Sequence, residues 1–144
     1  MAQPKLGTST TGTLMHYSAG AIIRRDDKIL LIERAIEPFG FAGPAGHVDE
    51  GEDSLTAMIR EGMEETGLHL TRLNLIDAEE LDWNWCSKGA SVHQWYLYDG
   101  FAFGDLRRNL RETMSADWYT REQIKGLELE PVWRYWFEKL RIID

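Results

Sequence analysis

Apolar residues near the start of the chain come in blocks. The stretch "LMHYSAGAIIRRDDKILLIER", Leu14 to Arg34, holds two blocks around a charged break. The first closes on Ile22 and Ile23, "RDDK" turns the chain and "ILLI" forms the second, which predicts two strands. Residues 1–13, rich in Thr and Gly, carry no such block. They predict a flexible tail or an edge segment ahead of a single domain over 14–144. In "AIEPFGFAGPAGHVDEGED" prolines and glycines interrupt any period, so this part reads as loop with a short strand near Gly46–Val48.

Next the period lengthens to that of a helix. Leu55, Met58, Ile59, Gly62, Met63 and Thr66 fall on one face, with Asp53 placed to cap the start and Gly67 to end the last turn. The spacing predicts a helix over 54–66 whose apolar face docks on a sheet. It leaves Glu61, Glu64 and Glu65 towards solvent or a cleft. Downstream, "LHLTRLNLIDAEELDW" and "VHQWYLYDGFAF" read as strands, the second apolar on both faces like a central strand. "DWYT" reads as a short strand and "REQIKGLELE" opens as a helical turn. "PVWRYWFEKLRII" predicts a helix with Pro131 at its first position and Val132, Trp133, Trp136 and Leu140 on its apolar face. There is no repeat and no long linker. The fold class is α+β, a mixed sheet sandwiched between helices (an α/β/α sandwich).

Composition narrows the function. A chain of 144 residues with 43% hydrophobic residues can bury a core without disulfides. A formal net charge of −8 argues against nonspecific binding of long nucleic acid, whose affinity comes from Lys and Arg neutralising phosphates. An anionic small molecule remains a possible substrate, provided that arginines or metal ions supply local positive charge. Cys86 is the one cysteine, so an intramolecular disulfide and a cysteine-based zinc site are both excluded. It reads as a small, half-buried side chain. The first residues have no apolar core of the signal-peptide kind, and no run approaches the length of a membrane span. A reducing, cytoplasmic location fits.

The stretch "REGMEETG" packs Glu61, Glu64 and Glu65 into about one helical turn. Exposed like-charge pairs at this spacing cost only about 0.2–0.5 kcal/mol, so alone they imply no more than a solvated face. The surroundings say more. Gly46 is followed after five residues by Glu52, and after seven more by Arg60-Glu61, then Glu64-Glu65, Gly67 and Leu68. This pattern resembles the signature of the Nudix hydrolases, G-x5-E-x7-R-E-U-x-E-E-x-G-U, with U a bulky apolar residue. One position departs: Gly62 stands where an apolar residue belongs, on the core face and away from the carboxylates.

The resemblance implies the Nudix fold, with a loop–helix–loop motif on a mixed sheet. It also implies a pyrophosphohydrolase dependent on Mg²⁺ or Mn²⁺. The substrate would be a nucleoside di- or triphosphate, or a nucleoside diphosphate linked to a further group. The residue chemistry agrees. Mg²⁺ prefers hard oxygen ligands in an octahedron. Two carboxylates 4 Å apart repel by about 4 kcal/mol at an effective dielectric near 20, and a divalent cation among them reverses the sign. By resemblance, the Gly46 carbonyl with Glu52, Glu61, Glu64 and Glu65 holds the metal, and Arg60 braces the acidic side chains. Glu61 or Glu64 acts as general base. Asp99, Asp105 and Glu112 are further candidates from later in the chain.

For the substrate itself the sequence offers Trp83 and Trp85, which alternate in "LDWNWC" and could stack on a base. Arg34, and with it Arg24 and Arg25, lies at a strand end where it could meet phosphate. Trp118, Trp133 and Trp136 read as core, and His16 and His93 as structural. "PAGH", in place of the commoner "PGG", resembles a family subset accepting nucleoside tri- and diphosphates broadly. Two alternatives stand beside hydrolysis. One is a catalytically inactive Nudix-fold module that binds a nucleotide as a sensor. The other is an isoprenoid-diphosphate isomerase, for which Cys86 in "NWCSKG" is the one candidate cysteine. No membrane partner is expected, and a homodimer is possible for this fold.

Overall fold

The computed structural model describes residues 3–86 and 88–144. Residues 1–2 of the predicted tail and Ser87 of "NWCSKG" lie outside the described residues. Strand β1 (Leu6–Thr8) pairs antiparallel with β2 (Leu14–Arg25), so part of the predicted tail is a sheet edge. A two-residue turn, Asp26-Asp27, joins β2 to β3 (Lys28–Arg34), shorter than the "RDDK" turn read from sequence. Two short strands follow, β4 (Gly40–Ala42) and β5 (Ala45–His47). Then come helix α1 (Ser54–Thr66), β6 (His69–Leu81), β7 (Val92–Phe103) and β8 (Thr113–Thr120), the last longer than "DWYT". Helices α2 (Arg121–Lys125) and α3 (Pro131–Lys139) end the chain.

The sheet runs β4-β3-β2-β7-β6, with β1 and β5 also on β2 and β8 on β3. The β2–β7 pairing is parallel and the others are antiparallel, so the sheet is mixed as expected. The blocks of apolar residues arise because β2, β3 and β7 are covered on both faces. On one face Ile22, Leu31 and Leu97 meet Trp133, Trp136 and Phe137 of α3. On the other, Ala21, Ile23, Leu30 and Tyr98 meet Ala57 and Met58 of α1. In α3 the buried set includes Phe137, whereas the predicted Leu140 is half-buried beyond the last turn. Among the described residues no helix is long and apolar enough to cross a membrane.

The span of α1 and both of its caps agree with the sequence reading. Asp53 accepts a hydrogen bond from the Thr56 N–H at 2.7 Å. Gly67 sits in the left-handed region at φ 72° and donates to the Met63 carbonyl. The buried face differs. Ala57, Met58, Gly62, Glu65 and Thr66 are buried, while Leu55, Ile59 and Met63 stay 42%, 44% and 38% exposed. The helix is rolled so that a glutamate, not Leu55, turns inward. Hydrophobic periodicity cannot foresee this roll, because burying a carboxylate runs against the apolar pattern, and the N–H that receives Glu65 comes from β5, outside the helix.

Gly62 makes the roll possible. A methyl group there would lie 2.5 Å from Leu70 Cγ, so α1 approaches β6 as closely as a bare backbone allows. Gly62→Ala is therefore expected to lower the urea midpoint. Overpacking costs about 1–3 kcal/mol, more than the roughly 1 kcal/mol that alanine gains in helix propensity. A midpoint that rises would show that Leu70 yields freely and that the close approach is not needed.

Candidate active site

Strand β5 and helix α1 build the site together. Gly46 faces α1, where a methyl group would overlap the carboxylate of Glu61. The neighbouring Ala45 N–H donates to Glu65 Oε1 at 2.8 Å, anchoring a carboxylate that is only 4% exposed. Arg60 stands at the centre of the remaining acids. Its guanidinium contacts Asp49 at 3.1 Å, Glu52 at 2.7 Å, Glu61 at 2.9 Å and Glu64 at 3.2 Å, and donates to the His47 carbonyl at 3.0 Å. Both Glu52 oxygens are committed: one accepts from Arg60 Nε, the other from Arg60 and the Asp49 N–H. Glu64 is the most open of the set, with its side chain 49% exposed.

Four carboxylates thus share one guanidinium, and the buried Glu65 adds a fifth acid held instead by the Ala45 N–H. The imbalance is visible in their acidities. Burial pushes the Glu61 carboxyl up to about 7, with Glu64 and Glu112 adding to the rise against Arg60. Burial, then the charge of Glu61, holds Glu65 well above the usual carboxylate range. Glu52, tied to Arg60, goes the other way and is lowered. Arg60 itself is raised, chiefly by Glu52, and stays protonated.

The cluster opens into a cavity of about 400 Å³. The connection from β7 to β8 folds over the C-terminus of α1. The Arg107 N–H donates to the Thr66 carbonyl at 2.7 Å and the Asn109 N–H to that of Glu65 at 3.0 Å. This brings Glu112 to the cavity wall, whereas Asp99 and Asp105 do not line it. The profile described as NUDIX domain matches residues 14–140. The chain belongs to the Nudix hydrolase family.

A NAD-capped RNA hydrolase NudC from Photorhabdus laumondii is 33% identical over 103 residues, which is 71% of this chain and 38% of that protein. An ADP-ribose pyrophosphatase from Methanocaldococcus jannaschii is 53% identical over 49 residues, 33% of this chain and 29% of that one. The chain therefore spans only about a third of the length of these relatives. Among solved structures, a MutT NUDIX hydrolase from Burkholderia pseudomallei superposes with a TM-score of 0.74 at 26% identity, covering 86% of this chain and 96% of that one. The Nudix fold expected from sequence is the fold observed.

The substrate candidates divide. Arg34 and Trp85 line the cavity of this Nudix domain, but Trp83 does not. The two tryptophans do not alternate on a strand; they lie in the irregular segment after β6, where Trp83 packs edge-on against Tyr135. Arg24 and Arg25 are remote from the site, the latter over the ring of Trp118. Lys88, from the segment between β6 and β7, lines the cavity and was not foreseen. Asp49 was also missed, although its place inside the signature's first spacer was a usable signal. His16 and His93, read as structural, meet His47 with ring centroids 5.0 and 5.7 Å from it.

Glu130, at the start of α3, was not foreseen either. It is 5% exposed and lies 3.3 Å from Arg34 Nε. That Nε already donates to the Pro38 carbonyl at 2.6 Å, so the ion pair is weak and burial wins, raising Glu130 to about 7. A carboxyl raised on folding favours the folded state while protonated. This contribution is complete below its ordinary value of 4.5 and is lost as pH rises through about 7. Glu130→Gln, neutral throughout, is expected to match the parent at low pH and to exceed it above neutrality by up to about 3 kcal/mol. Denaturant titrations across that range measure it. A variant that is less stable at high pH would mean that Arg34 outweighs burial.

Proposed function

We propose that the chain is a divalent-metal-dependent pyrophosphohydrolase. Its substrate is a nucleoside di- or triphosphate, or a nucleoside diphosphate joined to another group. The observation that carries this reading is the gathering of four carboxylates around one guanidinium at a cavity, with Glu65 beside them and with Glu61 and Glu65 buried where their charged forms are disfavoured. Such a donor set fits a hard cation: it is all oxygen, over-charged and backed by Gly46, whose missing side chain leaves room for the Glu61 carboxylate. Gly46, Glu61, Glu64 and Glu65 would hold Mg²⁺ or Mn²⁺. Glu52, with both oxygens engaged, keeps Arg60 in place. When bound, the ion supplies Lewis acidity towards a phosphate oxygen and a more acidic water.

The chain's own groups supply the rest. Arg60 fixes the orientation of Glu52, Glu61 and Glu64. Glu61 or Glu64 is the proton acceptor of this reading, Glu64 being the more open of the two. Glu112, exposed at the same cavity, is a further candidate. Lys88 and Arg34 offer positive charge to phosphate, and Trp85, 48% exposed, offers a face to a base. The names of the relatives support a diphosphate linking adenosine to a second group: NAD-capped RNA and ADP-ribose both contain one. We keep the cytoplasm as the compartment of this reading.

The test is a panel of dNTPs, ADP-ribose, nucleotide sugars, dinucleoside polyphosphates and NAD, assayed with Mg²⁺, with Mn²⁺ and with chelator. Turnover of at least one diphosphate compound that vanishes on chelation is expected. Metal-independent turnover would overturn the metal dependence, and tight nucleotide binding with no turnover under any condition would replace hydrolysis with the sensor reading. The intact charged positions of the signature favour hydrolysis.

A further inference from the structure

Three adjacent strands bring three imidazoles to one place. In the parallel pairing of β2 with β7, His16 is the direct partner of His93. In the antiparallel pairing of β2 with β5, His47 is the partner of Ser18, two residues along from His16. Side chains two apart on a strand share a face, so His16, His47 and His93 stand on the same side of the sheet. Gly46, one residue away, turns to the opposite side and faces α1. The segment that links β6 to β7 adds Cys86, whose Sγ lies 3.6 Å from His16 Nδ1. One nitrogen from each histidine and the sulfur all lie within 4.8 Å of one another.

Among the described residues, these side chains make few hydrogen bonds: a weak one between Cys86 and His16, and one between the His93 ring and the Asn84 backbone. His93 is 2% exposed, and its Nδ1 is buried without a hydrogen-bond partner. A buried, unpartnered polar atom costs about 1–3 kcal/mol, which three neighbouring imidazoles without a shared ligand do nothing to recover.

We propose that His16, His47, His93 and Cys86 form a binding site for a borderline-soft divalent cation, zinc by preference, distinct from the carboxylate site. The donor types differ in kind: three imidazoles and a thiolate suit Zn²⁺, while an all-oxygen cluster suits Mg²⁺. The geometry is close to what zinc needs. Zn–N near 2.0–2.1 Å and Zn–S near 2.3 Å put tetrahedral ligand atoms about 3.3–3.6 Å apart. The Cys86–His16 edge already has that length at 3.6 Å. Four protein ligands complete the tetrahedron, so the ion is structural rather than catalytic. On binding, the Cys86 thiol gives up its proton to solvent and the sulfur takes the metal in its place. A lone cysteine rules out a zinc site built of cysteines, but not one in which histidines supply the other donors.

The consequence lies in the cavity wall. His47, Cys86 and His93 line the same cavity as the carboxylates, and so do Trp85 and Lys88. Zinc would tie the segment carrying Trp85 and Lys88 to β2, β5 and β7, holding one side of the cavity in shape. Lys88 lies close enough to oppose positive charge at His16 and His47, but it is exposed and solvent screens it.

The experiment uses the full chain, stripped with chelator and titrated with Zn²⁺ by calorimetry and with Co²⁺ by absorption. The parent and Glu64→Gln/Glu65→Gln are both expected to bind one Zn²⁺ tightly, so failure here is separable from failure of the pyrophosphohydrolase reading. The Co²⁺ form is expected to show the strong visible bands of tetrahedral coordination and a thiolate-to-cobalt charge-transfer band. Cys86→Ser removes the latter and weakens Zn²⁺ by about tenfold or more. His93→Gln is expected to weaken it comparably; should that variant not fold, the parent spectrum and Cys86→Ser carry the test. A weak octahedral Co²⁺ spectrum without a sulfur band overturns the proposal. So does Zn²⁺ binding that disappears in the glutamate variant and is untouched by Cys86→Ser.

Discussion

Glu65→Gln is expected to lower kcat by about 10²–10³-fold and, in metal-free buffer, to raise the melting temperature. The two effects have one cause. Glu65 is buried, and among the described residues the one hydrogen bond to its carboxylate comes from the Ala45 N–H to Oε1. Glutamine keeps that acceptor and the shape, but discards a charge that the surroundings disfavour. The folded state therefore gains where no cation is present. The same change removes a ligand from the set that would hold the catalytic ion, and with it part of the electrostatic stabilisation of the reaction. Mg²⁺ is expected to stabilise the parent against heat more than the variant. Kinetics and thermal melts with and without Mg²⁺ measure both halves. If kcat is retained, Glu65 is a packing residue and the ligand set must be redrawn. If the metal-free variant is less stable, burial is not what raises the Glu65 pKa.

Arg60→Ala is expected to be the most damaging single change to stability, at about 3–5 kcal/mol, because it strips partners from charges that stay partly buried. Asp49, Glu52, Glu61 and Glu64 all lose their shared cation. The His47 carbonyl also loses its donor from Arg60. Since the damage is unbalanced negative charge, a divalent cation at the carboxylates offsets part of it, and the loss is expected to shrink when Mg²⁺ is added. Urea unfolding of parent and variant, each with Mg²⁺ and with chelator, gives the four values needed. An equal loss in both conditions would mean that the guanidinium acts through packing alone and that the carboxylates do not share a site with an ion.

The signature from Gly46 to Leu68 was legible because its spacing is local. A glutamate one helical turn from another is near it whatever the rest of the chain does, so Arg60 meets Glu61 and Glu64 as the helix dictates. The caps of α1 were readable for the same reason. The roll of α1 was not. Leu55, Ile59 and Met63 satisfied the apolar period better than Glu65, yet Glu65 is the residue inside, because β5 presents an N–H to it from another part of the fold. Trp83 and Trp85 looked equivalent in sequence. Only the path of the chain after β6 sends Trp85 to the cavity and Trp83 to Tyr135. Asp99, Asp105 and Glu112 were likewise indistinguishable until the β7–β8 connection carried one of them to the site.

By itself the order of residues determined the mixed sheet with helices about it, the ends of α1 and an acidic helix that carries the family signature. These follow from contacts between residues a few positions apart and from the period of apolar side chains. The tertiary structure alone decided which carboxylates are buried, which aromatic and basic groups share their cavity, and that His16, His47, Cys86 and His93 meet. Those neighbours are set by strand register and chain path, which join positions some 70 residues apart in the case of His16 and Cys86, and no local pattern encodes such a meeting.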